Sequence, residues 1–428
     1  PLPAPPPPPG GAKGGLPGTR GTPVMSTDAP TGYLHTEYTS PVDDSRQPIA
    51  LWVPPGYTSR RQYPIIVALH GMDGDERMIP EGCFEIPDRG FSDDVILLSL
   101  LGRGDIAFEG PGEADIWDAL AWVRERYRVN PHRQYLTGLS MGGYATWRLA
   151  MEYPEQWAAI APVCGGGDVN GLANLREVPV WCVHGDHDQF VSVTESRRLV
   201  EELRHLGCEP RYDELAGWGH NSWDWLYDPD RRKDSLVEWF LQFRREHAAP
   251  VVPHPKRKGG FKDLFQERVI ISYPAETPIP GESALLRAEA ERIARYSFGD
   301  FVMTRGELLV RADREISPAE LANASHLMLG RTDNHQWLGA VERKLAARHV
   351  RGTLRVRGET FLGKSLIAAT CQRSPWNRDR LLGVVTYQQF HQVRGISERL
   401  CGPANDPLAV NLFDTQRRRF ILQEELPE

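Results

Sequence analysis

Residues 134–149 read QYLTGLSMGGYATWRL. Gln134 to Thr137 reads as a short strand that stops at Gly138, and a helical pattern begins directly after Ser140. Strand, sharp turn and helix follow one another with a serine at the apex. Gly138 and Gly142 have a steric reason: a serine turned sharply enough to expose its hydroxyl leaves no room for side chains two positions to either side. Ser140 is therefore the candidate nucleophile.

On the N-terminal side, Leu34 to Thr39 and Ile49 to Val53 read as an opening hairpin or meander, closed by Pro54-Pro55-Gly56-Tyr57. Pro64 to Leu69 and Val95 to Leu101 are continuous apolar runs of the kind buried on both faces of a sheet. Helical spacing of Ile116, Leu120, Val123 and Tyr127 follows. Beyond the serine turn, strands are expected at 157–162, 178–183 and 211–214, with a helix over 193–206 between the last two. Repeated βα alternation predicts a doubly wound, mainly parallel sheet covered by helices on both faces.

At 428 residues, and with roughly 150 residues per domain, the chain is long enough for two or three cores. Residues 1–31 are proline and glycine-rich, and are expected to be disordered because they have too little apolar surface to bury. A first α/β domain carrying Ser140 is expected over 32–247, a linker over 248–260 and a second, smaller α/β domain of unassigned role over 261–428. In that last part strands are expected at 269–273, 308–311, 326–330, 365–369, 381–387 and 410–413, with helices over 282–296 and 336–348. No serine elbow recurs there.

The net charge of −7 gives no reason to expect a nucleic-acid or anionic-membrane partner, and the basic triplet Lys256-Arg257-Lys258 reads as solvated linker. The longest apolar run is far short of the roughly 20 residues that span a bilayer. Six scattered cysteines without metal-site spacing read as reduced and structural. The N-terminal segment lacks the apolar stretch of a signal peptide, so the expectation is a soluble cytoplasmic protein starting at Met25; a leader upstream would instead place it outside the cell.

A serine hydroxyl needs a base within hydrogen-bond reach and an acid to orient that base. In doubly wound hydrolases these follow the serine in the order acid, then histidine, on loops after later strands. HGDHDQFV, residues 184–191, ends a strand and offers Asp186 or Asp188. GWGHNSW, residues 217–223, supplies His220 as the base. A zinc reading of the His184–Asp188 cluster lacks a second histidine cluster to complete it, so neither metal nor cofactor is expected. Negative charge built on a carbonyl oxygen needs preorganised donors. The Met141 N–H, at the start of the helix, is one, and the Met72 N–H, in the loop His70-Gly71-Met72 after the first buried strand, is the other.

VALHGMDG, GPGEADIWDALAWVRERYRVNPHRQYLTGLSMGGYATW, VWCVHGDHDQFVSV and GWGHNSWDW together resemble the α/β-hydrolase superfamily, in its feruloyl-esterase-like and prolyl-oligopeptidase-like branch. The resemblance covers about residues 33–247. It implies a catalytic triad of Ser140, Asp188 and His220 with oxyanion donors at Met72 and Met141; Asp186-His187 is more charged than the family pattern there. It implies a serine esterase acting on a small or oligomeric ester such as a feruloyl or acetyl ester, with a serine peptidase or an inactive binding protein as alternatives. Residues 102–113 and Trp218, Trp223 and Trp225 are candidate walls of an acyl pocket. The absence of a propeller before the hydrolase segment favours esters over peptides.

Overall fold

Apolar residues fill every position of the run 64–69 because its strand is covered on both faces. Ile65, Val67 and Leu69 join one core layer while Ile66 and Ala68 join the other, following the two-residue period of a strand. Ile96, Leu98 and Leu100 against Leu97 repeat the pattern one strand away. The computed structural model describes residues 29–231, 235–250, 259–296, 302–350, 352–394 and 409–424. Most of the proline-rich N-terminus with Met25, the basic triplet 256–258 and Cys401 lie outside these residues.

In the first half the strands are β1 (Gly32–Thr39), β2 (Arg46–Val53), β3 (Tyr63–Leu69), β4 (Ile96–Leu100), β5 (Gly104–Asp105), β6 (Val129–Leu139), β7 (Ala159–Val163), β8 (Trp181–Gly185) and β9 (Arg211–Leu215). All but β5 form one sheet in the order β1-β2-β4-β3-β6-β7-β8-β9. The pairs from β4 through β9 are parallel, and β1 and β2 close the edge antiparallel. Helices α1 (Ile86–Arg89), α2 (Pro111–Arg126), α3 (Met141–Glu152), α4 (Thr194–His205), α5 (Trp223–Tyr227) and α6 (Leu236–Leu241) accompany it. One core layer draws residues from α2, α3 and α4, and the other from α1, α5 and α6, so the sheet is covered on both faces.

The second half begins at α7 (Phe261–Phe265) and β10 (Val269–Tyr273), followed by α8 (Glu282–Ala294), β11 (Val302–Met303), β12 (Leu309–Ala312), α9 (Pro318–Asn323), β13 (Ser325–Leu329) and α10 (Gln336–Ala340). β14 (Ala347–Val350), β15 (Thr353–Val356), β16 (Glu359–Phe361), β17 (Leu366–Arg373), β18 (Leu381–Tyr387), β19 (Val410–Asp414) and β20 (Arg419–Glu424) complete it. Its seven-stranded sheet has the order β12-β10-β13-β18-β17-β19-β20, parallel from β12 to β18 and antiparallel beyond. The helix expected over 336–348 stops after five residues, at Ala340. The Asp313 carboxylate and carbonyl take the Gln336 N–H and the Trp337 indole, and Ala347 leaves for the meander β14-β15-β16.

The two halves share buried contacts. Ile106 and Ala114 of the first lie in one apolar cluster with Phe261, Leu286, Ile293 and Tyr296 of the second. β5 pairs antiparallel with β11. Arg103 is fully buried, with Asp43 at 2.6 Å, Asp115 at 3.0 Å and the Met303 sulfur at 3.8 Å. No helix among the described residues is long and apolar enough to cross a membrane.

Candidate active site

β6 delivers the chain to Leu139 and α3 begins at Met141, so Ser140 occupies the turn alone, at φ 53° and ψ −115°. That backbone is costly for a non-glycine residue, by roughly 1–3 kcal/mol, and persists only when the surroundings hold it. They do. A Cβ on Gly138 would collide with the Gly142 carbonyl, and one on Gly142 with the Leu69 carbonyl. Both glycines are therefore required by backbone packed against backbone.

The Ser140 hydroxyl stands 2.9 Å from His220 Nε2, and His220 Nδ1 stands 2.6 Å from Asp188 Oδ2. The Asp188 side chain is fully buried and that of His220 is 17% exposed. The Phe190 and Val191 N–H groups donate to the other carboxylate oxygen, Oδ1, at 2.8 and 2.9 Å. Burial pushes the Asp188 pKa up, but the hydrogen bonds from His220 and from these two N–H groups outweigh it and hold the carboxyl below its usual range. An ionised acid fixes the His220 proton on Nδ1, and Nε2 then faces the serine as acceptor. Asp186, the rival acid, lies apart: its Oδ1 meets the Gly217 N–H at 2.7 Å and His187 Nδ1 at 2.6 Å.

His184, which the sequence offered only as part of a metal cluster, is instead a partner of Asp188. Its Nε2 faces two acceptors, Asp188 Oδ2 and the Val191 carbonyl, each at 3.1 Å, so Nε2 carries the proton. Nδ1 then accepts from the Ser196 hydroxyl at 2.7 Å. Burial holds this imidazole's pKa below its usual value, consistent with a neutral ring bracing Asp188. The available signal was a histidine closing a buried strand, where its polar atoms need partners.

The loop 70–72 lies over Ser140: a Cβ on Gly71 would come within 3.4 Å of the Ser140 Cβ. Met72 is half exposed in the turn. The Met141 N–H is the first of α3, where helical N–H groups have no intrahelical acceptor. Trp223 stands edge-on to His220, ring centroids 5.3 Å apart, and Phe190 lies 5.2 Å from the same ring and is 84% exposed. Trp218 carries the Arg231 guanidinium at 5.8 Å, and Trp225 packs against Trp181. Donor atoms of Cys164, Asp188 and His220 lie within 4.8 Å of one another, the arrangement of a possible metal site, but the Asp188 and His220 atoms are already hydrogen-bonded to each other.

No family model matches the chain. A bifunctional acetylxylan esterase/xylanase of Neocallimastix patriciarum is 26% identical over 145 residues, 33% of this chain and 22% of that protein. A probable acetylxylan esterase A of Aspergillus clavatus is 23% identical over 152 residues, 35% of this chain and 48% of that protein. A poly(3-hydroxyoctanoate) depolymerase of Pseudomonas fluorescens is 34% identical over 101 residues, 22% of this chain and 36% of that protein. The chain spans less than half the length of each of these relatives. Among solved structures, a thermostable esterase is 27% identical with a TM-score of 0.44, covering 50% of this chain and 63% of that one.

Proposed function

We propose that this chain, an α/β-hydrolase, cleaves carboxylic esters through an acyl-enzyme on Ser140. One observation carries the reading: the hydrogen-bonded line Ser140, His220, Asp188 stands at the apex of a strained strand-to-helix turn. His220 Nε2 takes the hydroxyl proton as Ser140 Oγ attacks the ester carbonyl, and Asp188 stabilises the imidazolium through Nδ1. The Met72 and Met141 N–H groups receive the oxyanion. As the tetrahedral adduct collapses, the carbon–oxygen bond to the alcohol breaks and His220 protonates the departing oxygen. Water then attacks the acyl-enzyme, giving up a proton to His220, which returns it to Ser140 as the acid leaves.

The names of the two acetylxylan esterases support acetyl-type esters as the substrate class, and that of the poly(3-hydroxyoctanoate) depolymerase supports an ester link as the bond cleaved. Trp218 and Trp223 are assigned to the substrate walls, with Trp223 against the His220 ring as support. Residues 261–428 are assigned to a second α/β domain, supported by their separate seven-stranded sheet. A fluorophosphonate probe tests the reading: it labels the wild-type chain, and Ser140→Ala abolishes labelling. Equal labelling of both proteins overturns the assignment of the nucleophile.

A further inference from the structure

Ser140, Tyr144, Arg148 and Met151 recur at helical spacing and so share one face of α3. The Tyr144 N–H donates to the Ser140 carbonyl at 3.0 Å, one turn from the nucleophile. Along that face lies a cavity of about 340 Å³, within the range of small-molecule sites. Tyr144, Ala145, Arg148, Met151 and Glu152 line it from the helix, Ala107 and Glu109 from the loop after β5, and Gly166, Gly167, Asp168 and Gly171 from the segment after β7.

The loop wall is unusual. Arg103, Ala107 and Phe108 have φ of 69°, 55° and 53°, three left-handed non-glycine residues within six positions. Such strain collects where a binding surface is held in place by its surroundings. Here the Arg103 guanidinium is locked by Asp43 and Asp115, its carbonyl accepts the Thr304 N–H at 2.8 Å, and Arg148 donates to the Phe108 carbonyl at 2.8 Å. Arg148 is further paired with Glu113 at 2.5 Å and Glu152 at 3.2 Å, so its charge is met within the protein, and most of the surface the cavity exposes is apolar. Lys262 of α7, paired with Glu152 at 2.7 Å, ties the far end of α3 to the second half of the chain.

We propose that this cavity holds the apolar part of the ester, an alkyl or aryl group carried by either its acyl or its alcohol half. The proposal rests on the ester-hydrolase reading of Ser140. It makes the second half of the chain the backing of the pocket wall, through β11, Thr304 and Tyr296, which stands against Gly110.

Gly167 provides the test. Gly167 lines the cavity beside Met151, and a Cβ there makes only ordinary contacts, 3.5 Å to Met151 Cε and to Trp147 Cβ, so the backbone accepts a side chain on that wall. Wild type, Gly167→Leu and Tyr144→Ala are compared after counting active sites by fluorophosphonate labelling. Two substrate series are used: p-nitrophenyl esters from acetate to octanoate, and acetates of methyl to octyl alcohols. In wild type kcat/KM rises along one series, by up to about fourfold per methylene until the cavity is full. The rising series identifies the half that is bound. Gly167→Leu lowers the ratio of longest to shortest substrate in that series by about tenfold or more. Tyr144→Ala, on the helix wall, displaces the preferred chain length and carries the test if the glycine variant does not fold. If both variants keep wild-type ratios in both series while Ser140 is labelled, the subsite is refuted and the ester-hydrolase reading stands. If the wild type is neither labelled nor active on either series, the reading of Ser140 fails and the subsite with it.

Discussion

Replacing Asp188 by Asn separates the carboxylate's shape from its charge. Oδ1 accepts two backbone N–H groups, and Oδ2 accepts from His220 at 2.6 Å and His184 at 3.1 Å. An amide in that place has one oxygen for two pairs of donors. Kept at Oδ1, the oxygen satisfies Phe190 and Val191 but turns the NH₂ toward two ring N–H groups. Flipped, it leaves two backbone donors facing an NH₂, at about 1–3 kcal/mol for each buried group left unsatisfied. The first arrangement is therefore expected, and His220 answers it by moving its proton to Nε2, where it no longer accepts from Ser140. The wrong tautomer costs about 10⁴-fold in kcat in a comparable triad, roughly 5.4 kcal/mol at 1.36 kcal/mol per decade. Hydrolysis of p-nitrophenyl acetate by Asp188→Asn, with a melting curve to confirm folding, measures it. Asp186→Asn is the control and should stay close to wild type, because its carboxylate touches neither His220 nor Ser140. Retention of more than about a tenth of the activity by Asp188→Asn would refute the reasoning.

Gly142→Ala forces a Cβ into the Leu69 carbonyl and is expected to destabilise the fold by about 3 kcal/mol and to abolish hydrolysis, read by urea unfolding and ester turnover. Arg103→Met leaves Asp43 and Asp115 as buried carboxylates without their cation, at a cost of about 3–5 kcal/mol in unfolding free energy. Burial lowers the His326 pKa to about 4, below the ~6.5 of an unfolded histidine, so its contribution is fully present above the unfolded value and is lost as pH falls toward 4. Replacing His326 by Gln should flatten the pH dependence of unfolding free energy between about pH 4.5 and 6 by about 1.4 kcal/mol per pH unit.

The first half was legible because its rules are local. Apolar runs covered on both faces, glycines two positions to either side of a serine, and acid before histidine each leave a mark within a few residues. Asp186 against Asp188 was not decided by spacing. The Phe190 and Val191 N–H groups, His184 and His220 converge on Asp188, which supports it over Asp186 as the acid. His184 itself is legible only once β8 and α4 are in place, because its partner Ser196 lies on the helix. In the second half, residues 336–348 have a helical pattern, but the Asp313 contacts hold only its first turn, and Ala347, Leu354 and Val356 pack instead against Leu366, Val410 and Leu412. Pairing across such distances overrides local propensity. The buried Arg103 cluster likewise joins residues 43, 103 and 115, which no periodicity connects.

A covalent acyl group on Ser140 is open to direct observation by mass spectrometry of the chain quenched during turnover of p-nitrophenyl acetate. A mass gain of one acetyl group, located on the peptide carrying Ser140 and absent from Ser140→Ala, is the expected result. Turnover with no acylated peptide, or the same acylation in Ser140→Ala, would contradict it.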